Sequence, residues 1–151
     1  MRFASRKERN RFDDGAFVEY NKDVAKKGEE RMNNDKERRI MEKMIARCER
    51  IEAILKEYGR DFNVFLTDVA FQDACCMNVI RIGDLVGQLS AELKARRSLG
   101  PWAQIRAASD YLTRDYDAAE PELIWETLRQ DVPTLRGVLL EILAENELDA
   151  G

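Results

Sequence analysis

Apolar residues recur at helical spacing along most of the chain, and no segment shows the strict alternation that is typical of a half-buried strand. Between residues 41 and 55, apolar side chains return every three or four positions. The longest stretch of this kind is "VAFQDACCMNVIRIGDLVGQL", which begins at Val69. The segments between the helical patterns are short, as they are between antiparallel helices. We therefore predict an all-α fold, an antiparallel up-and-down bundle of about four to five main helices.

Capping residues predict where several of these helices begin and end. Asn34, with Glu37 three residues later, matches a capping box and predicts a helix start. Gly59 is suited to the left-handed conformation that commonly ends a helix. Asp68 and Ser90 stand before further helical segments, where their side-chain oxygens can accept from free backbone N–H groups.

Each of the three prolines marks the start of another predicted helix, because proline fits the first helical position. Pro101 opens "PWAQIRAASDYLT", Pro121 opens "PELIWETLR", and Asp131 with Pro133 opens "TLRGVLLEILAE". From residue 34 onward, we therefore expect one helix after another.

The helix that follows Asp68 is apolar over most of its circumference. Its apolar residues are Val69, Phe71, Ala74, Cys75, Cys76, Met77, Val79, Ile80, Ile82, Leu85 and Val86. A helix that is apolar nearly all round is buried on both sides. The pattern therefore favours a two-fold homodimer that forms through this helix.

Residues 1–31 differ in composition from the rest of the chain. They hold nine Lys/Arg and seven Asp/Glu, a net charge of +2, and their apolar residues lack a sustained helical period. We interpret residues 1–31 as a leader that is disordered or weakly helical, or that is non-native, residues 32–146 as the helical domain and residues 147–151 as a tail. The coding DNA for "GEER" resembles a ribosome-binding site upstream of Met32, which predicts that translation starts there.

The composition bears on the redox compartment of the protein and on the kinds of ligand that it can bind. The net charge of -4 argues against bulk attraction to nucleic acid, although it leaves room for a local basic cleft. The odd set of Cys48, Cys75 and Cys76 is not a disulfide framework, so we expect structural thiols in a reduced, cytoplasmic protein. We expect no metal site, since the chain has no histidine, and no cofactor, since it has no glycine-rich phosphate loop. We expect neither a signal peptide nor a membrane span, which would need about 20 apolar residues.

The segment "SDYLTRDYD", residues 109–117, gathers polar groups at the end of a predicted helix. A spacing of four places Arg106, Asp110 and Arg114 on one helix face. In one interpretation these residues form a surface ladder of ion pairs. In the other, Arg106 and Arg114 contact a phosphate, because guanidinium groups bind phosphate oxygens in a bidentate manner. Catalysis by Ser-His-Asp or Cys-His arrangements is excluded, because the sequence has no histidine.

Four segments resemble, in order and spacing, HepT-like proteins of the HEPN superfamily. They are "NNDKERRIMEKMIARCERIEAILKEYG", "FQDACCMNVIRIGDLVGQLS", "PWAQIRAASDYLTRDYD" and "IWETLRQDVPTL". The resemblance implies a HepT-like HEPN helical domain over residues 32–146 that dimerises. It also implies a metal-independent ribonuclease toxin of a type VII-like toxin–antitoxin system. The partner implied by this resemblance is a minimal nucleotidyltransferase antitoxin, which transfers AMP to a tyrosine of the toxin.

The family motif is Arg, usually followed by Asn, then three residues, His, one residue and Tyr. By resemblance, these positions fall on Ser109, Asp110, Arg114 and Tyr116. Ser109 and Arg114 are therefore the candidate catalytic positions, in a degenerate form of the motif. Arg106 is a candidate contact for RNA or phosphate, and Tyr116 is the candidate acceptor of AMP.

The sequence leaves two functions open. The first is the ribonuclease toxin that the resemblance implies. The second is a catalytically inactive HEPN domain, a dimeric binding module for its partner, RNA or a nucleotide. It is suggested by Arg114, which stays protonated where histidine would move a proton, and by Ser109, which lacks the charge of arginine. Tyr116 is then either a modification site or a structural aromatic residue.

Overall fold

The computed structural model describes the backbone of residues 6–150 and the side chains of residues 15–149. Within these bounds the chain contains helices and turns but no strand. The helices are α1 (Arg6–Glu57), α2 (Phe62–Thr67), α3 (Val69–Val86), α4 (Ala91–Ala95), α5 (Trp102–Arg114), α6 (Pro121–Glu126) and α7 (Val132–Ala150). A 3₁₀ turn (Tyr116–Ala118) follows α5, and a π-helical turn (Thr127–Asp131) joins α6 to α7. The predicted all-α bundle is confirmed.

The chain divides into two compact units, Met1–Lys36 and Glu37–Gly151. In the first unit the described backbone is helical from Arg6, and almost every described side chain is exposed. Residues 1–5 of the predicted leader and Gly151 of the predicted tail lie outside the described residues. The domain boundaries at Met32 and at residue 147 stay predictions.

The prediction of a capping box at Asn34 and Glu37 is wrong, because α1 (Arg6–Glu57) passes through Asn34 without a helix start there. The leader is rich in Lys, Arg, Glu and Ala, which favour a helix even without an apolar period. Glu37 instead reaches across the second unit, where its Oε1 accepts from the backbone N–H of Ser90 at 2.8 Å.

The other caps of the second unit are as predicted. Asp68 Oδ1 accepts from the backbone N–H of Phe71 at 2.9 Å, and Ser90 Oγ accepts from that of Leu93 at 3.1 Å. Gly59 follows α1 with φ +70°, the left-handed conformation that glycine adopts without strain. These short-range contacts fix the starts of α3 and α4 and the end of α1.

The prediction of a separate helix opening at Pro133 is wrong, because α6 continues into α7 through the π-helical turn. In an α-helix, the ring of Pro133 would clash with the carbonyl of Arg129, four residues earlier, and the proline has no N–H to donate. The π-helical turn Thr127–Asp131 contains Arg129, and its i→i+5 hydrogen bonding replaces the α-helical pattern directly before Pro133.

The core of the second unit brings the apolar faces of α1, α3, α5 and α7 together. Its fully buried members include Met41, Met44, Ile51, Phe65, Phe71, Ile82, Ile105, Leu112, Leu128, Leu135, Leu139 and Ile142. At one end of the core, Tyr58 stacks on Phe71 with ring centroids 4.3 Å apart. None of the helices in the described range is both long and apolar enough to cross a membrane.

Packing within the chain accounts for most of the apolar arc of α3. The residues of this helix that are buried include Phe71, Cys75, Cys76, Val79, Ile82 and Val86. Val69 and Met77 remain exposed, at 64% and 51% of their surface. The homodimer through α3 therefore stays a prediction, with a smaller apolar surface than the sequence pattern indicated.

Candidate functional site

The last turns of α5 and the 3₁₀ turn after it carry the residues of the degenerate motif. The start of α5 is anchored by Trp102, whose indole Nε1 donates to the carbonyl of Arg97 at 2.9 Å. From there α5 packs along α3. The pairing determines which motif side chains point inward and which reach solvent.

Ser109 points inward, with only 2% of its surface exposed. Its hydroxyl donates to the carbonyl of Ile80 on α3 at 3.1 Å. Gly83, one turn further along α3, lies so close that a Cβ atom added to it would be 2.1 Å from Ser109 Cβ. Ser109 therefore serves as a small, hydrogen-bonded contact at the closest approach of α3 and α5.

Arg106 lies about one turn before Ser109 and binds the same part of α3. Its Nη1 donates to the carbonyl of Gly83 at 2.8 Å, and this carbonyl also accepts from the backbone N–H of Gly87. Its Nε lies 3.8 Å from Asp110 Oδ1, and both side chains are about half exposed. The predicted Arg106–Asp110 ion pair is present. An exposed pair of this kind contributes little to stability.

Arg114 ends α5 with an exposed side chain. In the part of the chain that the structure describes, its guanidinium forms no hydrogen bond or salt bridge, so the predicted Asp110–Arg114 pair is not formed. Arginine is a permanent cation that donates hydrogen bonds and cannot take up a proton. Arg114 can therefore hold an anion at this position but cannot act as a general base.

Tyr116 lies on the 3₁₀ turn, and its hydroxyl donates to Asp73 Oδ1 on α3. The ring is partly exposed, at 39% of its surface. Burial and the hydrogen bond to Asp73 raise the pKa of Tyr116 above its ordinary value. The buried thiol of Cys76 lies beside this pair, and burial raises its pKa to about 11. At neutral pH, Tyr116 is therefore a neutral hydroxyl that faces a carboxylate.

Tyr111 holds the segment that carries Tyr116. Its hydroxyl donates to the carbonyl of Ala118 at 3.4 Å and accepts from the backbone N–H of Glu120 at 3.1 Å. Its own carbonyl accepts from the backbone N–H of Asp115 at 3.0 Å. These three contacts fold the chain after α5 back onto its last turn and fix the position of Tyr116.

The structure divides the predicted site residues between two environments. Ser109 and Arg106 contact the backbone of α3, whereas Arg114 and Tyr116 lie at the exposed end of α5. Sequence reasoning missed Asp73, because no motif connects it to a tyrosine 43 positions later. It also missed the positioning role of Tyr111, although this residue lies inside the motif. The catalytic roles of Ser109 and Arg114, the phosphate contact of Arg106 and the modification of Tyr116 stay predictions.

Comparison with known proteins places the chain in a family. The family model described as "Ribonuclease HepT-like" matches residues 26–142. A Caldanaerobacter subterraneus protein named "Putative RNase" is 28% identical over 73% of this chain and 96% of its own length. A Thermococcus cleftensis protein named "Probable ribonuclease HepT" is 26% identical over 48% of this chain and 74% of its own.

A third relative is longer than the matching region. The Methanocaldococcus jannaschii protein named "Gamma-glutamylcyclotransferase and putative RNase" is 30% identical over 61% of this chain, and the match spans less than half, 42%, of that protein. No solved structure matches the chain significantly. The family model covers well over half of the sequence, including all of the segment from α3 to the π-helical turn. The chain therefore belongs to the HepT-like ribonuclease family.

Proposed function

We propose that the chain is the HepT-type ribonuclease toxin component of a two-gene, type VII-like toxin–antitoxin system, with RNA as its target and a nucleotidyltransferase antitoxin as its partner. The antitoxin inactivates it by transferring AMP to Tyr116. The observation that carries this proposal is the placement of Tyr116. It occupies the tyrosine position of the family motif, reaches solvent, and donates its hydroxyl to Asp73.

The contact with Asp73 suits a hydroxyl that must lose its proton during AMP transfer. The phenolic oxygen attacks the α-phosphorus of ATP, the bond to pyrophosphate breaks, and the proton passes to a base. A neutral tyrosine is a weak nucleophile that an adjacent base activates. Asp73 is already within hydrogen-bonding reach of this proton, so it is the base that we propose.

Co-expression with the nucleotidyltransferase of a neighbouring gene tests AMP transfer. We expect the intact mass to rise by one or more AMP groups and the first group to map to Tyr116. Tyr116→Phe removes the acceptor, and Tyr20→Phe is the matched control because Tyr20 is also exposed. Modification of Tyr116→Phe to the same extent as the wild-type protein would contradict the assignment.

The second candidate function is a HepT-like binding module that does not cleave RNA. It is favoured by the burial of Ser109 at the motif position of arginine and by the permanent charge of Arg114 at the position of histidine. The exposed guanidinium of Arg114 can hold a phosphate, but the sequence supplies no imidazole to move a proton. Such a module would bind RNA, a nucleotide or the partner protein as a dimer.

An RNA cleavage assay separates the two candidates. The wild-type protein is incubated with labelled RNA in the presence of a metal chelator, beside Arg114→Ala and Arg114→His. Cleavage by the wild type that Arg114→Ala abolishes supports the ribonuclease. Retention of RNA without cleavage supports the binding module, and a gain of cleavage in Arg114→His would show that the missing histidine is the cause. Ser109 is left unchanged, because a larger side chain there would meet Gly83.

A further inference from the structure

A basic groove lies between α1 and α3, on a side of α3 other than the one that packs on α5. Its volume is about 480 Å³. It is lined by Lys43, Ala46, Arg47, Arg50, Arg81, Asp84, Leu85 and Gln88. All of these residues belong to the second unit of the chain. None of them is a position of the motif, so the groove is a feature separate from the site at the end of α5.

Three of the cations follow one face of α1. Lys43, Arg47 and Arg50 are spaced by four and then three residues, which places their side chains in a row. The row extends over roughly 10 Å of the helix axis at a rise of about 1.5 Å per residue. Arg81 contributes a fourth cation from α3. A row of this kind is suited to a ligand with repeated negative charges.

Arg47 is held in place by a buried neutral group. Its Nη1 donates to Asn78 Oδ1 at 3.3 Å, and Asn78 Nδ2 donates to the carbonyl of Ala74 at 2.8 Å. Asn78 is a buried polar side chain, with 7% of its surface exposed. Because its partner is an amide and not a carboxylate, Arg47 is positioned without losing its net charge to an ion pair.

The groove keeps most of its positive charge, although the whole chain has a net charge of -4. Its lining contains four cations and a single carboxylate, that of Asp84. Within residues 15–149, the salt bridges of the structure leave Lys43, Arg50 and Arg81 unpaired. Leu85 and Gln88 add an apolar and an amide side chain beside these cations. Cations that are not neutralised by acidic neighbours can interact strongly with phosphate groups.

We propose that this groove binds the phosphodiester backbone of single-stranded RNA, with Lys43, Arg47, Arg50 and Arg81 as its phosphate contacts. The inference rests on the proposed function, in which RNA is the target. A strand in this groove lies on α3, the same helix whose Asp73 contacts Tyr116. Lysine and arginine contacts of this type are largely independent of sequence. The groove therefore supplies affinity, while any chemistry takes place at another site.

Fluorescence anisotropy with a labelled oligouridylate tests the groove. The variant Arg50→Gln/Arg81→Gln removes two of the proposed contacts and leaves the Arg47–Asn78 contact intact. The matched control is Lys56→Gln/Arg129→Gln, which removes the same charge from exposed residues outside the groove. We expect the groove variant to bind at least about tenfold more weakly, and the slope of log K against log salt to fall by about 0.7 for each lost contact. The control should bind like the wild type.

The outcomes distinguish the inference from the function on which it rests. If the groove variant binds RNA as tightly as the wild type, the proposal that the groove binds RNA is wrong. If only Arg114→Gln loses affinity, RNA binds at the motif instead. An equal loss of RNA affinity in the control variant would show that the effect comes from the net charge of the protein, and would also contradict binding in the groove. No RNA binding by the wild-type protein at low salt contradicts the proposed RNA target together with the groove. Thermal melting of each variant verifies that it is folded.

Discussion

Ser109 and Gly83 show what the side chain at position 109 does in this fold. An arginine at position 109 would bring charge to a phosphate, whereas Ser109 brings α3 and α5 together and satisfies the carbonyl of Ile80. The charge that remains nearby belongs to Arg106 and Arg114, and Arg106 is also bound to α3. At the scale of single residues, Ser109 is therefore a packing contact between α3 and α5, and the nearby cations are Arg106 and Arg114.

Substitution of Gly83 by alanine should destabilise the fold. The new Cβ would lie 2.1 Å from Ser109 Cβ, so the two helices must separate, and overpacking of this kind costs about 1–3 kcal/mol in the free energy of unfolding. Gly137→Ala is the matched control, because its Cβ on α7 would meet nothing within 4 Å. There we expect a gain of about 0.5–1 kcal/mol from helix propensity. Urea denaturation measures both changes.

A second substitution tests whether the clash with Ser109 causes the loss of stability in Gly83→Ala. Gly83→Ala combined with Ser109→Gly removes the atoms that collide, so the double variant should recover part of the lost stability relative to the sum of the single changes. A Gly83→Ala protein as stable as the wild type would contradict the close approach of α3 and α5.

The ionisation of Tyr116 should reflect its contact with Asp73. Burial and this hydrogen bond raise the pKa of Tyr116, so its neutral form stabilises the folded state. This contribution is present below the ordinary tyrosine pKa of about 10 and is lost as the pH rises from there through the raised value. The difference in ultraviolet absorbance between the wild type and Tyr116→Phe follows the titration. Asp73→Asn should lower the pKa of Tyr116, and an unchanged titration would argue against the contact.

The ends of a helix were predictable from the sequence where residues close to that end in the chain form its cap. Asp68, Ser90 and Gly59 act on backbone groups within a few positions, so their caps could be predicted. The start of α1 could not be located in this way, because the residues before Asn34 favour a helix without an apolar period. At Pro133 a π-helical turn that joins α6 to α7 replaced the expected helix start.

The cysteines on α1 and α3 should be unreactive in the folded protein. Cys48, Cys75 and Cys76 are free and buried, and burial raises the pKa of Cys48 and of Cys75 to about 12. A thiol must be deprotonated to react, so alkylation by iodoacetamide near pH 8 should be much slower in the native state than in denaturant. Mass spectrometry counts the labelled thiols over time. Labelling of all three at the denatured rate would mean that these helices open readily.

The chain has a net charge of -4, yet four cations line the groove where α1 faces α3, and Arg106 and Arg114 lie on α5. The sequence contained a signal for the first group, since Lys43, Arg47 and Arg50 follow helical spacing in "KMIARCER". It had none for Arg81 or for Asp73, because their neighbours in space come from distant helices. The motif therefore named candidate residues at the end of α5, whose roles stay predictions, whereas their geometry depended on how α3 packs.

The predicted homodimer can be tested at the scale of the assembly. Val69 and Met77 form the exposed apolar part of α3, and burying them between two copies would remove apolar surface from water. Light scattering should give twice the chain mass, and Met77→Lys should weaken the association. Leu99→Lys is the matched control, since Leu99 is an exposed apolar residue outside α3. A monomer at high protein concentration would contradict the dimer.

RNA binding by the purified wild-type protein tests the central claim most directly. The measurement is the anisotropy of a labelled single-stranded RNA, titrated with protein at several salt concentrations. We predict binding at low salt, with log K falling linearly as log salt rises, because lysine and arginine contacts release counterions from the phosphates. An anisotropy that stays constant at low salt would contradict an RNA-directed HepT-like protein.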